Sequence, residues 1–261
     1  MFDYHIHTNV SFDSKQSAYD VLSAAKEAGL REVCFTDHYD FHFEKYEAHD
    51  LFTKESYELA YGNISLPGIS VKRGVEFGLT TWNAPELAAL IKEYDFDFVL
   101  GSVHYADGYD PYMKEYWYEK TLEQAFLGYL ERVLECVRVH TDFDVLGHLN
   151  YVCKAPHNPT RSPLFYKDYS EICDEIMREL AKRDKGMEIN TSGVDRVGEF
   201  LPNADFLRRF RELGGKIVTV GSDAHTKDRV GQYNQEALAI LKDIFGYVCT
   251  FDKRTPVFHK L

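Results

Sequence analysis

Two histidines near the start of the chain, His5 and His7, have a residue type and spacing suited to metal binding. The run from Phe2 to His7 is typical of a strand. Alternation along a strand sends residues two apart to the same face, with Cα atoms about 7 Å apart. Two imidazole rings at that separation are able to bind one cation. Because paired histidines on a strand are more often ordinary polar residues, the pair is weak evidence by itself.

Further residues of metal-binding type recur at the ends of later predicted strands. They are Asp37 and His38 after the second strand, Glu76 at the third, His104 at the fourth, His148 at the fifth, and Asp223 and His225 after the seventh. Only the sixth strand ends differently, in Asn190 and Thr191. In a barrel of parallel strands, functional groups collect at the carboxyl ends of the strands. Structural histidines and acids have no reason to prefer those positions, so the pattern predicts a metal centre.

The elements that must position these residues alternate between short β-branched or aromatic runs and longer helical patterns, which is typical of a parallel βαβ sheet. The predicted strands are Phe2 to His7, Glu32 to Thr36, Ile69 to Glu76, Phe96 to Val103, Phe143 to Gly147, Gly186 to Asn190 and Lys216 to Val220. Thr121 and Gln124 have capping-box spacing, and Gly29 and Gly214 stand where helices should end. Seven strands predict one distorted α/β barrel over residues 1–261. The tail from Tyr247 to Leu261 is a candidate outer strand.

Composition narrows the function classes. The chain of 261 residues is 44% hydrophobic, and it lacks the run of roughly 18 apolar residues that a membrane span needs. Its start does not resemble a secretory signal, so we expect a cytoplasmic protein that does not bind membranes. The net charge of -12 would repel a nucleic-acid backbone, which favours a small-molecule substrate. Five widely spaced cysteines without a CxxC pair argue against disulfides and against a cysteine-type zinc site.

Successive motifs along the chain resemble those of the polymerase and histidinol phosphatase (PHP) family. The motifs are His5-Ile6-His7-Thr8, Thr36-Asp37-His38, Gly74-Val75-Glu76, Ser102-Val103-His104, Gly147-His148 and Ser222-Asp223-Ala224-His225. Together they span nearly the whole chain. The resemblance implies a distorted seven-stranded (β/α)7 TIM-like barrel that carries a trinuclear metal site.

The resemblance also implies how the ligands are divided among the metals. His5, His7, Glu76 and Asp223 would hold the first metal; Glu76, His104 and His148 the second; and His38, His225 and Asp13 the third. Glu76 would then bridge two metals, and Asp13 stands where many relatives have histidine. Mixed nitrogen and oxygen ligands suit Zn²⁺, Fe²⁺ or Mn²⁺ better than Ca²⁺, so two or three divalent transition-metal ions are expected. Asp37 should point away from them and support the ligands.

Phosphate recognition needs positive charge in addition to metals, and arginine offers a planar fork of donors. Arg161 follows the fifth predicted strand and Arg196 follows the sixth, and in both places the chain resembles the histidinol phosphatase branch of the family. An ordinary solvated loop arginine is the alternative for each. His42 lies shortly after the second strand, where it is a candidate for substrate contact and for protonating the leaving group; a water on a metal is the other candidate. The candidate catalytic residues are His42 and two of the implied metal ligands, Glu76 and Asp223.

The predicted reaction is hydrolysis of a small phosphate monoester, with L-histidinol phosphate of histidine biosynthesis as the preferred substrate. The nearest alternative is a phosphoesterase of the same family that acts on a nucleotide, an oligonucleotide or a sugar phosphate. A polymerase-associated module with structural metals is a rival from another class, but a basic surface run is missing from the sequence. A metal-binding regulator without turnover is the third possibility. The sequence does not fix the oligomeric state.

Overall fold

Parallel strands form the centre of the computed structural model, which describes residues 1–41 and 51–261. The strands are β1 Phe2–Ile6, β2 Glu32–Phe35, β3 His38–Tyr39, β4 Ser70–Gly78, β5 Phe98–Ser102, β6 Val145–Leu146, β7 Gly186–Asn190 and β8 Val218–Gly221. Their order is β1-β2-β4-β5-β6-β7-β8, and the short β3 pairs with β4 beyond the end of β2. All of these pairs are parallel, which confirms the predicted seven-stranded α/β barrel.

Backbone hydrogen bonds between the first and last strands close the barrel at its carboxyl end. The amide of Asp223 donates to the carbonyl of His5 at 2.8 Å, and the amide of His7 donates to the carbonyl of Ala224 at 3.0 Å. The residues that carry these bonds include or adjoin the predicted ligands. Closure of the barrel therefore brings the first and the last sequence motif together.

Helices cover the outside of the sheet. They are α1 Ala18–Glu27, α2 Lys54–Tyr61, α3 Ala84–Glu93, α4 Leu122–Val139, α5 Ser170–Lys182, α6 Val194–Val197, α7 Ala204–Glu212 and α8 Asn234–Ile244. The predicted capping box of α4 is present, because the Thr121 hydroxyl accepts from the Gln124 amide. Gly29 and Gly214 follow α1 and α7 with φ values of 70° and 94°, as expected for helix-ending glycines. Within the described ranges, no helix is both long and apolar enough to cross a membrane.

The tail forms a separate hairpin and does not join the barrel sheet as an outer strand. Its antiparallel strands are β9 Tyr247–Asp252 and β10 Thr255–Lys260. The Phe251 ring packs against Phe98 at the start of β5, with ring centroids 4.9 Å apart. Arg254 in the turn donates to the Asp144 carboxylate just before β6. The hairpin therefore covers the amino ends of the strands, opposite the predicted metal centre.

The cysteines have a structural role. All five are buried and none forms a disulfide, as their spacing predicted. A free buried cysteine behaves as a small hydrophobic residue. Cys34 lies in β2 and Cys136 in α4, where both belong to the hydrophobic core.

Candidate metal centre

The nine predicted ligands meet at the carboxyl end of the barrel, although they come from positions 5 to 225 of the sequence. Their donor atoms form four overlapping groups, each with all atoms within 4.8 Å of one another. The groups are His5, His7 and Asp223; His5, Glu76 and His148; His38, Asp40 and His104; and His7, Asp13, His38 and His225. One residue in these groups, Asp40, was not predicted from the sequence.

Glu76 lies at the middle of the cluster and is fully buried. Its Oε1 atom is 2.9 Å from Nε2 of His148 and 3.3 Å from Nε2 of His104. Its Oε2 atom is 3.2 Å from Nε2 of His5 and 3.4 Å from Nε2 of His7. Oε2 also lies 3.1 Å from Nδ1 of His38, so the two carboxylate oxygens face two separate groups of histidines. This is the arrangement that a carboxylate bridging two cations requires.

The histidine pair of β1 presents two ring nitrogens to the same point. Nδ1 of His5 is 2.8 Å from Glu188, and Nδ1 of His7 is 3.1 Å from the Ser11 hydroxyl. Because Ser11 donates its own proton to Asp37, its oxygen is available to accept from His7. Hydrogen bonding at Nδ1 leaves Nε2 as the metal-binding atom of each ring. These two Nε2 atoms are 3.1 Å apart, a distance at which two lone pairs repel unless a cation lies near both.

The remaining distances also fit a metal centre. Two ligands bound at ~2.1 Å to one tetrahedral Zn²⁺ lie ~3.4 Å apart. Asp223 Oδ1 is 3.6 Å from Nε2 of His5 and 3.4 Å from Nε2 of His7. Glu76 Oε2 is buried and makes no hydrogen bond with any residue of the described ranges. A buried carboxylate oxygen without a hydrogen bond is costly, and a cation bound here would satisfy it.

The third predicted group is the most exposed of the three. Asp13 Oδ2 is 3.0 Å from Nε2 of His225 and 3.6 Å from Nε2 of His38. The side chains of Asp13 and His225 keep 34% and 30% of their accessible surface, whereas His5 and His7 keep none. A cation held by Asp13 would therefore lie at the rim of the centre and exchange with solvent more readily than the inner ones.

Two acidic residues that the sequence reasoning missed hold the histidines from behind. Asp40 lies 3.0 Å from Nδ1 of His104, and Glu188 lies 2.8 Å from Nδ1 of His5. Such carboxylates orient metal-binding rings and raise their basicity. Sequence signals for both existed. Asp40 is two residues after His38, and Glu188 is the one charged residue of the fully buried strand β7.

Asp37 does not join the cluster, as its position next to His38 predicted. It is buried and accepts hydrogen bonds from the amides of Thr8 and Ser11 at 2.6 and 3.1 Å, and one from the Tyr61 hydroxyl. These contacts hold the turn that follows β1. This turn also carries Ser11, which contacts the ring of His7.

Two glycines leave room for the support groups. A Cβ atom on Gly78 would lie 1.6 Å from the Asp40 carboxylate, and one on Gly221 would lie 2.1 Å from the Glu188 carboxylate. Neither position tolerates a side chain. Asp223 follows Gly221 closely and has a φ of 56°, an uncommon conformation that persists at functional sites when surrounding bonds impose it.

Carboxylates dominate the electrostatics of the cluster. Burial disfavours a charged His5, yet the neighbouring carboxylates, foremost Glu76, raise its pKa well above the ordinary value. Burial also disfavours a charged His104, but Asp40 and Glu76 raise its pKa to about 10. The pKa of Glu76 itself, although burial favours the neutral form, is held well below its usual range by His5 and other histidines. The field here therefore favours added positive charge, which bound divalent cations would supply.

A cavity of about 540 Å³ opens over the cluster. Its wall includes Asp13, His38, His104, His148, Asp223 and His225, together with Phe12, Tyr105, Tyr112, Tyr151, Lys154 and Arg196. Arg196 is therefore placed at the cavity, and its role in phosphate binding stays a prediction. Arg161 is exposed and is not part of the wall. His42 lies outside the described residues.

The family follows from comparison with known proteins. The model of the PHP domain matches residues 3–192, which contain the motifs from His5 to His148. The chain belongs to the PHP family. Asp223 and His225 lie beyond the matched residues, but the similarity to two curated relatives covers 97% and 95% of the chain.

Two histidinol-phosphatases resemble the chain over nearly its full length. A probable histidinol-phosphatase of Clostridium acetobutylicum is 29% identical over 97% of this chain and 98% of its own length. The histidinol-phosphatase of Lactococcus lactis is 32% identical over 95% of this chain and 93% of its own length. A crystal structure of the L. lactis enzyme complexed with Zn, L-histidinol and phosphate superposes with a TM-score of 0.84 at 29% identity, and the match covers 98% of both chains.

Proposed function

We propose that this chain is a metal-dependent phosphoric monoester hydrolase that converts L-histidinol phosphate to L-histidinol and phosphate, a reaction of histidine biosynthesis. The observation that carries the proposal is the position of Glu76, whose two oxygens face separate groups of histidine nitrogens beneath an open cavity. The L. lactis relative, complexed with Zn, L-histidinol and phosphate, supports the choice of metal type and substrate. A cytoplasmic location stays a prediction.

Two or three divalent metals fit the donor atoms of the cluster. His5, His7, Glu76 and Asp223 would hold one, Glu76, His104 and His148 a second, and Asp13, His38 and His225 a third. Bound metals would supply a water-derived nucleophile at neutral pH and neutralise charge on the phosphoryl oxygens. Zn²⁺, Fe²⁺ and Mn²⁺ all suit this mixture of imidazole and carboxylate.

The protein's own residues would then bind and orient the ester. Asp40 and Glu188 fix the ring orientations of His104 and His5, so the metal-binding nitrogens are already in place before substrate arrives. Arg196 supplies positive charge at the cavity wall for the phosphoryl oxygens. His42 is the proposed proton donor to the leaving alkoxide oxygen, and a water molecule at the site is the alternative donor.

Metal analysis paired with phosphate release tests the proposal. The purified chain is expected to contain two or three divalent metals and to release phosphate from L-histidinol phosphate. A panel of nucleotide and sugar phosphates, run in parallel, tests substrate choice. Faster turnover of another ester would replace the substrate, and a metal-loaded chain that hydrolyses none of the esters would refute the proposed function.

Alanine substitution of the two arginines separates a cavity residue from a surface residue. Arg196→Ala is expected to lower kcat/KM for L-histidinol phosphate by about 10- to 1000-fold, because a charge-assisted contact to the phosphoryl group is lost. Arg161→Ala should have an effect of that size only if its loop moves to the substrate, since Arg161 is not part of the cavity wall. Steady-state kinetics with metal content measured distinguish these cases. Unchanged kinetics in both variants would mean that neither arginine binds phosphate.

A further inference from the structure

A buried lysine, Lys154, lies beside the metal cluster and is unexplained by the proposed ligand set. It ends a short 3-10 turn, Tyr151–Lys154, in the irregular segment after β6. Only 8% of its surface is exposed. A lysine is seldom buried unless its charge is paired, so its partners indicate why it is there.

The ammonium group of Lys154 has two hydrogen-bond acceptors among the described residues. It donates to Asp223 Oδ2 and, at 3.1 Å, to the Ser192 hydroxyl oxygen. Ser192 in turn donates to Asn190 Oδ1 at 2.7 Å, which leaves its oxygen lone pairs for Lys154. An ammonium carries three donor hydrogens. Because Lys154 is also part of the cavity wall, the third hydrogen is available to a ligand in the cavity.

Asp223 uses its two oxygens for different partners. Oδ2 accepts from Lys154, whereas Oδ1 faces the ring nitrogens of His5 and His7 at 3.6 and 3.4 Å. Lys154 thus contacts the oxygen that points away from those nitrogens. Removal of Lys154 would leave Oδ1, the candidate metal-binding atom, in place, with Ser192 still within 3.1 Å of Oδ2.

Three lysine or arginine side chains belong to the described cavity wall: Lys154, Arg196 and Arg229. Arg229 is paired with Asp195, and its side chain is 44% exposed. Arg196 is exposed as well. Lys154 is therefore the one buried cation of the three, and an interaction with an anion is least screened by water where the cation is buried.

We propose that Lys154 is a phosphate-binding residue that donates its third hydrogen to a phosphoryl oxygen beside the cluster. The inference rests on the proposed function, since it assumes a phosphate ester in this cavity. Asp223 and Ser192 hold the ammonium in position before the ester binds, which reduces the entropy lost on binding.

Phosphate binding to the metal-loaded chain tests this role without turnover. Calorimetric titration with inorganic phosphate is expected to give a Kd about 10- to 100-fold higher for Lys154→Met than for the unaltered chain, the size of a lost charged hydrogen bond. Metal content should not change. Lys154→Arg, which keeps the charge, should recover part of the affinity. Lys120→Met is the matched control, because Lys120 forms an exposed ion pair with Asp107 and does not belong to the cavity wall.

Three outcomes would overturn the proposal. The first is a Kd of Lys154→Met for phosphate within twofold of that of the unaltered chain. The second is a loss of bound metal from Lys154→Met that accompanies its loss of phosphate affinity, and the third is an equal loss of phosphate affinity in Lys120→Met. If Lys154→Met does not fold, Lys154→Gln removes the charge while keeping a hydrogen-bond donor and gives the same comparison. A chain that binds phosphate but does not hydrolyse L-histidinol phosphate would refute the proposed function and leave the Lys154 measurement valid.

Discussion

Glu76→Gln is expected to lower kcat for L-histidinol phosphate by about 1000-fold or more, because a neutral amide cannot bridge two cations. The substitution keeps the shape of the side chain but removes its charge and presents an NH₂ group to nearby histidine nitrogens. Those nitrogens are 2.9 to 3.4 Å from the two oxygens of Glu76. Steady-state kinetics with metal counting by plasma emission measure the effect.

Glu58→Gln provides the matched control for that substitution. Glu58 forms an ion pair with Arg73 on the surface, and exposed pairs contribute little to stability, so activity should stay close to that of the unaltered chain. If a folded Glu76→Gln protein of known metal content turned over substrate as fast as the unaltered chain, the bridging role would be contradicted. The assignment of the metal centre would fall with it.

Asp13→Ala and His5→Ala are expected to remove different metals. Asp13 contacts only the outer group, where it lies 3.0 Å from His225, so its loss should release about one metal per chain and reduce turnover. His5 faces both Glu76 and Asp223, so its loss should disrupt the bridged pair and abolish activity. A carboxylate in place of histidine should also move the outer site's preference toward Mn²⁺ or Mg²⁺ and weaken its hold on Zn²⁺.

Dialysis followed by metal counting compares the two variants, with Asp243→Ala as control because that carboxylate is exposed on α8. Equal metal loss from Asp13→Ala and His5→Ala would show that the sites bind cooperatively or that the ligands are divided differently. No loss from Asp13→Ala would remove Asp13 from the ligand set. His7 belongs to both the inner and the outer group, which makes the comparison with His5 the more informative one.

The barrel and the convergence of its candidate ligands could be predicted from the sequence because both follow from local patterns. Strand alternation orients His5 and His7 to one face, and the βαβ pattern makes strands parallel, so that Glu76, His104 and His148 must all reach the same end. These two rules require no knowledge of distant contacts. They therefore predicted which strand carries each candidate ligand, even where the predicted strand was too long. The fifth strand was predicted as Phe143 to Gly147, whereas β6 is only Val145–Leu146.

Only the tertiary structure decided which side chains support the ligands. Glu188 contacts His5 across 183 positions of sequence, and Lys154 reaches Asp223 across 69. Lys154 lies in an irregular segment, where no periodicity predicts the direction of a side chain. The same reason separates Arg196, which reaches the cavity, from Arg161, which does not. The direction of a loop side chain depends on tertiary contacts, which are set by packing between elements that the local pattern does not describe.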